Sequence, residues 1–331
     1  MLRADWRVGN TFDAMATLAE FKAQWFDGND FIEAHTSGST GEPKAIRLPK
    51  SDMISSARAT NQFFEITKAS VLGLPLSIDY IAGKMMAVRS FEAGCSLLQL
   101  PVSNRFTIDE TIDLLSVVPS QLECLLKQER APKLVRNLLI GGAPLSDELR
   151  NRVIAAGFNA YIGYGMTETC SHVALQRLDA DGTYTAMPQV EFTTDSRNCL
   201  VIRSERFTWK ELTTNDVVEL ISSTQFRWLG RADHVINSGG VKIHPEQIEN
   251  IIRRELPQLP PFYLVGKAHP QLGSEVVMVI ECGAEDAEIA MHQISGLKLP
   301  RYSHPRQAIA IEVLPRTSNG KVRRLLPPDN Q

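Results

Sequence analysis

Nine residues near the start of the chain, Thr36-Ser37-Gly38-Ser39-Thr40-Gly41-Glu42-Pro43-Lys44, carry the strongest local chemistry. Glycines let backbone N–H groups close on an anion, the hydroxyls of Ser37, Ser39 and Thr40 add donors, and Lys44 brings a cation. These types in this order suit a loop that wraps phosphate; the alternative is a flexible polar surface loop. A Walker A loop is excluded, because that motif has Lys directly after its second glycine, whereas Gly41 is followed by Glu42-Pro43.

Such a loop needs elements to hold it. Phe12, Met15, Ala19, Ala23 and Phe26 recur at helical spacing behind Thr11 as an N-cap, predicting an amphipathic helix over 12–26 that Asp27-Gly28-Asn29-Asp30 ends. Phe31–His35 reads as a short strand entering the loop, and a helix near 50–64 follows. Strand, loop, helix is how many phosphate sites are built. β-rich runs at 70–74, 96–100, 134–140 and 158–163 alternate with helical segments near 82–93, 107–116, 119–129 and 145–156. This favours an α/β fold with a largely parallel sheet. Short strands between turn residues from Glu191 to Trp228 suggest a small β subdomain at about 190–230. Beyond Gly230-Arg231-Ala232-Asp233, a helix at 245–255, strands at 263–266 and 276–281 and a helix at 285–296 make up a plausible separate domain.

Length and composition agree with this layout. The 331 residues suit two domains, and 43% hydrophobic with 22% charged residues is a globular composition with enough apolar side chains for a large core. A formal net charge of -3 without any run of like charges argues against nucleic acid or an anionic membrane as partner. Cys95, Cys124, Cys170, Cys199 and Cys282 form no C-x-x-C pair, which argues against a zinc site or disulfide framework and for a reducing compartment. Without an apolar leader or a stretch of about 18 apolar residues, the expectation is a cytoplasmic protein.

The loop resembles the phosphate-binding signature of the adenylate-forming superfamily, which includes acyl-CoA synthetases, peptide-synthetase adenylation domains and luciferases. Six further segments resemble the family's motifs in the family's order. They are Gly141-Gly142-Ala143-Pro144-Leu145; Tyr164-Gly165-Met166-Thr167-Glu168-Thr169; Thr214-Asn215-Asp216, where the family usually has Thr-Gly-Asp; Gly230-Arg231-Ala232-Asp233 with Ser238-Gly239-Gly240-Val241-Lys242-Ile243; and Pro315-Arg316-Thr317-Ser318-Asn319-Gly320-Lys321. The resemblance implies the adenylate-forming fold: a large lobe over 1–232 with mixed and parallel sheets, and a small mobile α+β domain over 233–331. It also implies ATP, Mg²⁺ and coenzyme A as cofactor and co-substrates.

Roles follow beside it. The loop residues Thr36, Ser37, Gly38, Ser39, Thr40, Gly41 and Lys44 are expected on the triphosphate. Gly141, Gly142 and Ala143 are expected on the adenine side, with Tyr164, Gly165 and Met166 beside them, and the Tyr164 ring offers a stacking face. Thr167 can donate to a phosphate oxygen, and Glu168 supplies the hard oxygen that Mg²⁺ prefers. Asp216 can accept from both ribose hydroxyls and Arg231 can reach ribose or phosphate. Lys321 is the expected catalytic cation, stabilising charge that develops as two anions meet at the α-phosphate. Ser318-Asn319-Gly320-Lys321 also fits the S-x-x-K pattern of β-lactamases, whose companion motifs are absent. The resemblance makes Asp233 the hinge, about which the small domain turns to withdraw Lys321 and present Gly239-Gly240 to a pantetheine arm.

Two features depart from the family. Relatives usually have well over a hundred residues before the phosphate loop, so a shortened N-terminal subdomain is expected, with a homodimer to cover the exposed face. Where relatives often read Pro-Leu-aromatic-His, this chain has Leu74-Pro75-Leu76-Ser77. Val118-Pro119-Ser120-Gln121-Leu122, Gly141–Leu145 and Arg89 before Ala93-Gly94 are similar to the 2-succinylbenzoate–CoA ligases of menaquinone biosynthesis. That acid has a second carboxylate needing a partner, for which Lys84 and His172 are candidates; each can equally be an ordinary tethered or packed residue. A fatty or simple aromatic acid, or an inactive ATP-binding homologue, are the competing readings.

Overall fold

The structure, a computed structural model, describes residues 6–8, 12–35, 45–316 and 322–327. Strand β1 (Trp6–Val8) and helix α1 (Phe12–Trp25) precede the hairpin β2 (Phe31–His35) and β3 (Ala45–Pro49), and α2 (Lys50–Phe63) follows. Strands β4 (Val71–Leu74), β5 (Ser96–Gln99), β6 (Leu114–Val117), β7 (Leu138–Ile140) and β8 (Ala160–Gly165) then alternate with α3 (Ile81–Ala93), α4 (Pro119–Leu126), α5 (Ala131–Leu134) and α6 (Asp147–Ala155). A 3₁₀ turn at Thr167–Thr169 leads to β9 (His172–Arg177), β10 (Tyr184–Ala186), β11 (Val190–Thr194), β12 (Cys199–Ser204), β13 (Glu211–Ser222) and β14 (Gln225–Arg231). After a second 3₁₀ turn at Ala232–His234 come β15 (Ile236–Ser238), β16 (Val241–Ile243), α7 (Pro245–Glu255), β17 (Phe262–His269), β18 (Gly273–Glu281), α8 (Ala284–Ser295) and β19 (Gln307–Ile311).

A single sheet runs in the order β1-β5-β4-β6-β7-β8-β9-β10-β14-β13-β12-β11, parallel from β1 through β8 and antiparallel beyond. The parallel strands are short apolar runs buried on both faces, as crossover helices require. Leu72, Leu97 and Leu114 pack with Met53 of α2 and Met85 of α3, while Leu115, Leu138 and Ile140 pack with Leu122 of α4 and Val153 of α6. Strands β11–β14, where a small β subdomain was expected, hydrogen-bond into this same sheet through β10. β15–β19 form a second sheet with its own core, in which Ile236, Ile248, Ile252, Leu264, Met278 and Ile294 meet.

Three local expectations are corrected. Residues 107–116 are not a helix: Leu114–Val117 is a strand between β4 and β7, and a short apolar run does not by its period distinguish buried strand from buried helix. The phosphate-type loop is followed by strand β3, not directly by a helix, so its two ends are held by the pairing His35↔Ala45. Helix α1 forms as expected but buries Leu18, Phe21 and Trp25, leaving Ala19, Ala23 and Phe26 exposed. Leu, Phe and Trp remove far more apolar area from water than two alanines on the competing stripe. No helix among the described residues is long and apolar enough to cross a membrane, and the five cysteines are free.

Candidate active site

The carboxyl ends of parallel strands are where an open α/β sheet leaves a crevice. Here β6 ends at Val117, β7 at Ile140 and β8 at Gly165, and the Gly141 N–H donates to the Val117 carbonyl at 3.1 Å. Gly142 turns the chain out of β7 with φ 84°, while Ala143 is exposed. At the end of β8 the backbone presses on its own return: a Cβ on Gly165 would stand 2.2 Å from the Ser171 carbonyl oxygen, so only glycine fits. The Thr169 hydroxyl accepts from Met166 N at 2.9 Å and lies 2.7 Å from the Ser171 carbonyl. This knot fixes the turn that carries buried Thr167 and exposed Glu168.

Across the sheet, a chain of polar side chains leads from β8 to the second 3₁₀ turn. The Tyr164 hydroxyl donates to Asp216 Oδ2 at 2.7 Å, and Trp228 Nε1 donates to Asp216 Oδ1 at 3.1 Å. Burial, then the Asp216 charge, hold the Tyr164 phenol well above its usual pKa, so it stays a donor. Phe226 and Tyr184 pack edge-on against its ring at 5.1 and 5.7 Å. Arg231 lies 3.9 Å from Asp216 and makes a two-point contact with Asp233, both bonds 2.9 Å. Burial works to raise the Asp233 carboxyl, but Arg231 outweighs it and leaves the group below the usual carboxylate range.

On the helix side stands Arg89 of α3, 1% exposed. Its Nη2 donates to Ser171 Oγ at 2.5 Å and its Nη1 to Met86 Sδ at 3.3 Å, while Nε has no partner and no ion pair forms among the described residues. Burial pulls its pKa down to about 9, which still leaves it charged at neutral pH. Such a charge is costly to bury without an anion. Arg206 is a second case, with Nε and Nη2 buried and unpartnered among the described residues and burial lowering it to about 10.

His172 is buried within reach of both guanidinium charges. Thr60 Oγ1 donates its proton to the Ser56 carbonyl at 3.1 Å, so it accepts from His172 Nε2–H at 3.1 Å. Nδ1 is then the acceptor facing Ser171 Oγ at 3.3 Å. Burial first, then the Arg89 and Arg206 charges, hold the imidazole well below 6.5 and therefore neutral. The unfolded chain protonates this ring near 6.5 and the folded one does not, so stability present above 6.5 is lost as pH falls. His172→Gln is expected to flatten the slope of unfolding free energy below that pH by about 1.4 kcal/mol per pH unit, measured by urea titration at stepped pH.

The predicted residues fall into four groups. Tyr164, Gly165, Met166, Thr167, Glu168, Asp216 and Arg231 are joined through β8, β13 and β14, with Gly141–Ala143 on the neighbouring strand end. Gly239 and Gly240, φ 58° and 79°, form the tip between β15 and β16, and Asp233 stands in the turn before them. Lys84 turns away: its Nζ donates to the Ile78 carbonyl at 2.8 Å and sits 5.1 Å over the Phe21 ring, whereas Arg89 on the same helix faces Ser171. Thr36, Ser37, Gly38, Ser39, Thr40, Gly41, Lys44 and Lys321 lie outside the described residues. Arg89 was not placed in the acid pocket from sequence because its signal is the lack of an acid partner among the described residues, which a sequence does not display.

A family model described as AMP-binding enzyme matches residues 11–195. The chain is 24% identical over 337 residues to a long-chain-fatty-acid–CoA ligase of Mycobacterium tuberculosis, covering 89% of this chain and 66% of that protein. It is 27% identical over 323 residues to a 2-succinylbenzoate–CoA ligase of Listeria monocytogenes, covering 88% and 68%. The chain thus spans about two thirds of the length of these curated relatives. A solved acyl-CoA synthetase (AMP-forming)/AMP-acid ligase II-like protein from Dyadobacter fermentans superposes with a TM-score of 0.63 at 30% identity, covering 93% of this chain and 92% of that one.

Proposed function

Because the chain belongs to the AMP-binding enzyme family, we propose that it is an ATP-dependent acyl-CoA ligase whose acid carries a second carboxylate, 2-succinylbenzoate being the specific candidate. The carrying observation is Arg89, a buried guanidinium with no ion pair among the described residues, facing Ser171 five residues past Met166. A fatty chain placed there would leave that charge buried against hydrocarbon, whereas a carboxylate satisfies it. The likeness to 2-succinylbenzoate–CoA ligases supports this choice over the fatty-acid alternative.

In the first step a carboxylate oxygen of the acid attacks the α-phosphorus of ATP and pyrophosphate leaves, forming the acyl adenylate. Thr36–Lys44 holds the leaving phosphates, Thr167 donates to the α-phosphate, and Asp216, oriented by Tyr164 and Trp228, accepts from the ribose. Mg²⁺ keeps several waters and needs only one or two carboxylates beside substrate phosphates, a role the single exposed Glu168 fits. Lys321 offsets the charge developing at phosphorus. In the second step the CoA thiolate attacks the acyl carbon and AMP leaves, with Gly239-Gly240 beside the pantetheine arm and residues 233–331 turned about Asp233.

The test is product identity across an acid panel. ATP, Mg²⁺ and CoA with 2-succinylbenzoate should yield AMP and pyrophosphate, at a lower KM than with benzoate or palmitate. ADP as product would overturn the reading, and no pyrophosphate with any acid would favour an inactive ATP-binding homologue.

A further inference from the structure

Away from the residues already used, the second sheet ends in an open edge. β19 is held on one side by parallel pairing with β18, Gln307 to Ile311 against Val277 to Glu281, and has no other strand partner among the described residues. Its five residues are all partly exposed and include neither a charge nor a proline, the devices that usually guard an edge. Glu281 N donates to the Pro261 carbonyl beside β17, so the odd-numbered residues of β18 turn their N–H and C=O to β17 and the even-numbered ones to β19. The parallel ladder then spends the backbone groups of Gln307, Ile309 and Ile311 on β18 and leaves those of Ala308 and Ala310 facing outward. The methyl groups of these two alanines face α8, where with Ala284, Ala287 and Met291 they line an open groove, while Ile311 packs on the opposite face with Tyr263 and Leu314. Exposed Arg306 and Glu312 flank the strand, and neither makes an ion pair among the described residues.

We propose that β19 is a dimerisation edge whose occupant is the β19 strand of a second copy of this chain, laid antiparallel about a two-fold axis at Ile309 so that the two second sheets become one. The contact is independent of the ligase reading, and it lies on the small domain and not on the N-terminal face where the sequence suggested a dimer. An edge that pairs with itself must be self-complementary. With the axis at Ile309, Ala308 of each copy stands opposite Ala310 of the other, and their outward N–H and C=O groups are exchanged in both directions. Ile309 meets Ile309 of the second copy as a pair without backbone hydrogen bonds, the arrangement that brings cross-strand side chains closest and suits β-branched residues. Arg306 falls opposite Glu312 of the second copy, once at each end. Moving the axis by one residue along the strand sets Arg306 against Ala310 or Glu312 against Ala308 and loses both ion pairs, and a register in which odd faces even sets outward backbone groups against spent ones. The charge pattern therefore selects one register and favours a second copy over a foreign strand. A five-residue strand is a small interface, so the dimer is a weak one in exchange with monomer.

Sedimentation velocity of the full chain, from low to high micromolar concentration, should show a reversible monomer–dimer equilibrium. Arg306→Glu and Glu312→Arg each set like charges opposite one another twice per dimer, and each should weaken dimerisation about tenfold. Combining the two reverses the pair without breaking it, so the double variant should return to within about threefold of the parent. Both side chains are exposed, and each variant should keep the parent's circular dichroism and melting temperature. A parent that stays monomeric across the range leaves the edge to some other strand-donating partner and overturns the proposal. A dimer that tolerates both single reversals, or that the double variant fails to restore, overturns it too, because the contact then lies elsewhere on the molecule.

Discussion

Replacing Arg89 by Met is expected to make the protein more stable and the enzyme worse. The guanidinium is fully buried, its Nε is unpartnered, and it has only a hydroxyl and a thioether as acceptors among the described residues. A flexible apolar side chain of similar length fills the space without the desolvation penalty, so unfolding free energy should rise by about 1–4 kcal/mol. The same change removes the partner proposed for the second carboxylate. Losing a charge-assisted contact of this kind costs about 2–5 kcal/mol, roughly 30- to several-thousand-fold in KM for a dicarboxylic acid. KM for ATP should not move, and the handicap should vanish for a monocarboxylic analogue of matching shape. Calorimetry together with acid-side kinetics checks both halves. Unchanged acid kinetics would take Arg89 out of the pocket, and a loss of stability would mean that the charge has a structural partner.

Lys321→Ala should divide the reaction. Removing one preorganised donor to a developing charge costs about 10²–10³-fold in rate, so pyrophosphate release with saturating acid and ATP should fall by that factor. Thioester formation from supplied adenylate should change by less than about threefold, because the charge it develops is at the acyl carbon, not at phosphorus. Binding of ATP, followed by equilibrium titration, should be nearly unchanged, which distinguishes lost transition-state stabilisation from lost ground-state affinity. Parallel loss of both steps would make Lys321 a structural residue of the tail that Arg324 anchors to Glu249.

Both predictions concern side chains whose legibility in the sequence differs. Lys321 is marked by its neighbours Thr317-Ser318-Asn319-Gly320, and Glu168 by the Tyr-Gly-Met-Thr-Glu-Thr run. These are local signals: a glycine forced by the Ser171 carbonyl, or a hydroxyl that ties Met166 to Ser171, needs only a few consecutive residues, so type and spacing carry it. Arg89 and Lys84 were indistinguishable by that standard. Both are cations on α3, and the one placed in the acid pocket from sequence is the one whose ammonium is spent on the Ile78 carbonyl and the Phe21 ring. What separates them is where each side chain points, Lys84 to the Ile78 carbonyl and the Phe21 ring, Arg89 to Ser171 past the end of β8.

The family, the alternation of strand and helix through the parallel sheet, and the residue types gathered at the strand ends were legible along the chain, because these depend on periodicity and on local motifs. The fold settles which face of α1 is buried, that 114–117 is a strand, and that β3 pairs with β2 on the far side of the phosphate-type loop. It also decided that His234, Glu246 and Arg324 meet, and that Arg89 meets no acid among the described residues. Each of those outcomes is set by competition among partners far apart in sequence, where burial and charge compensation are properties of the assembled neighbourhood and not of any residue in it.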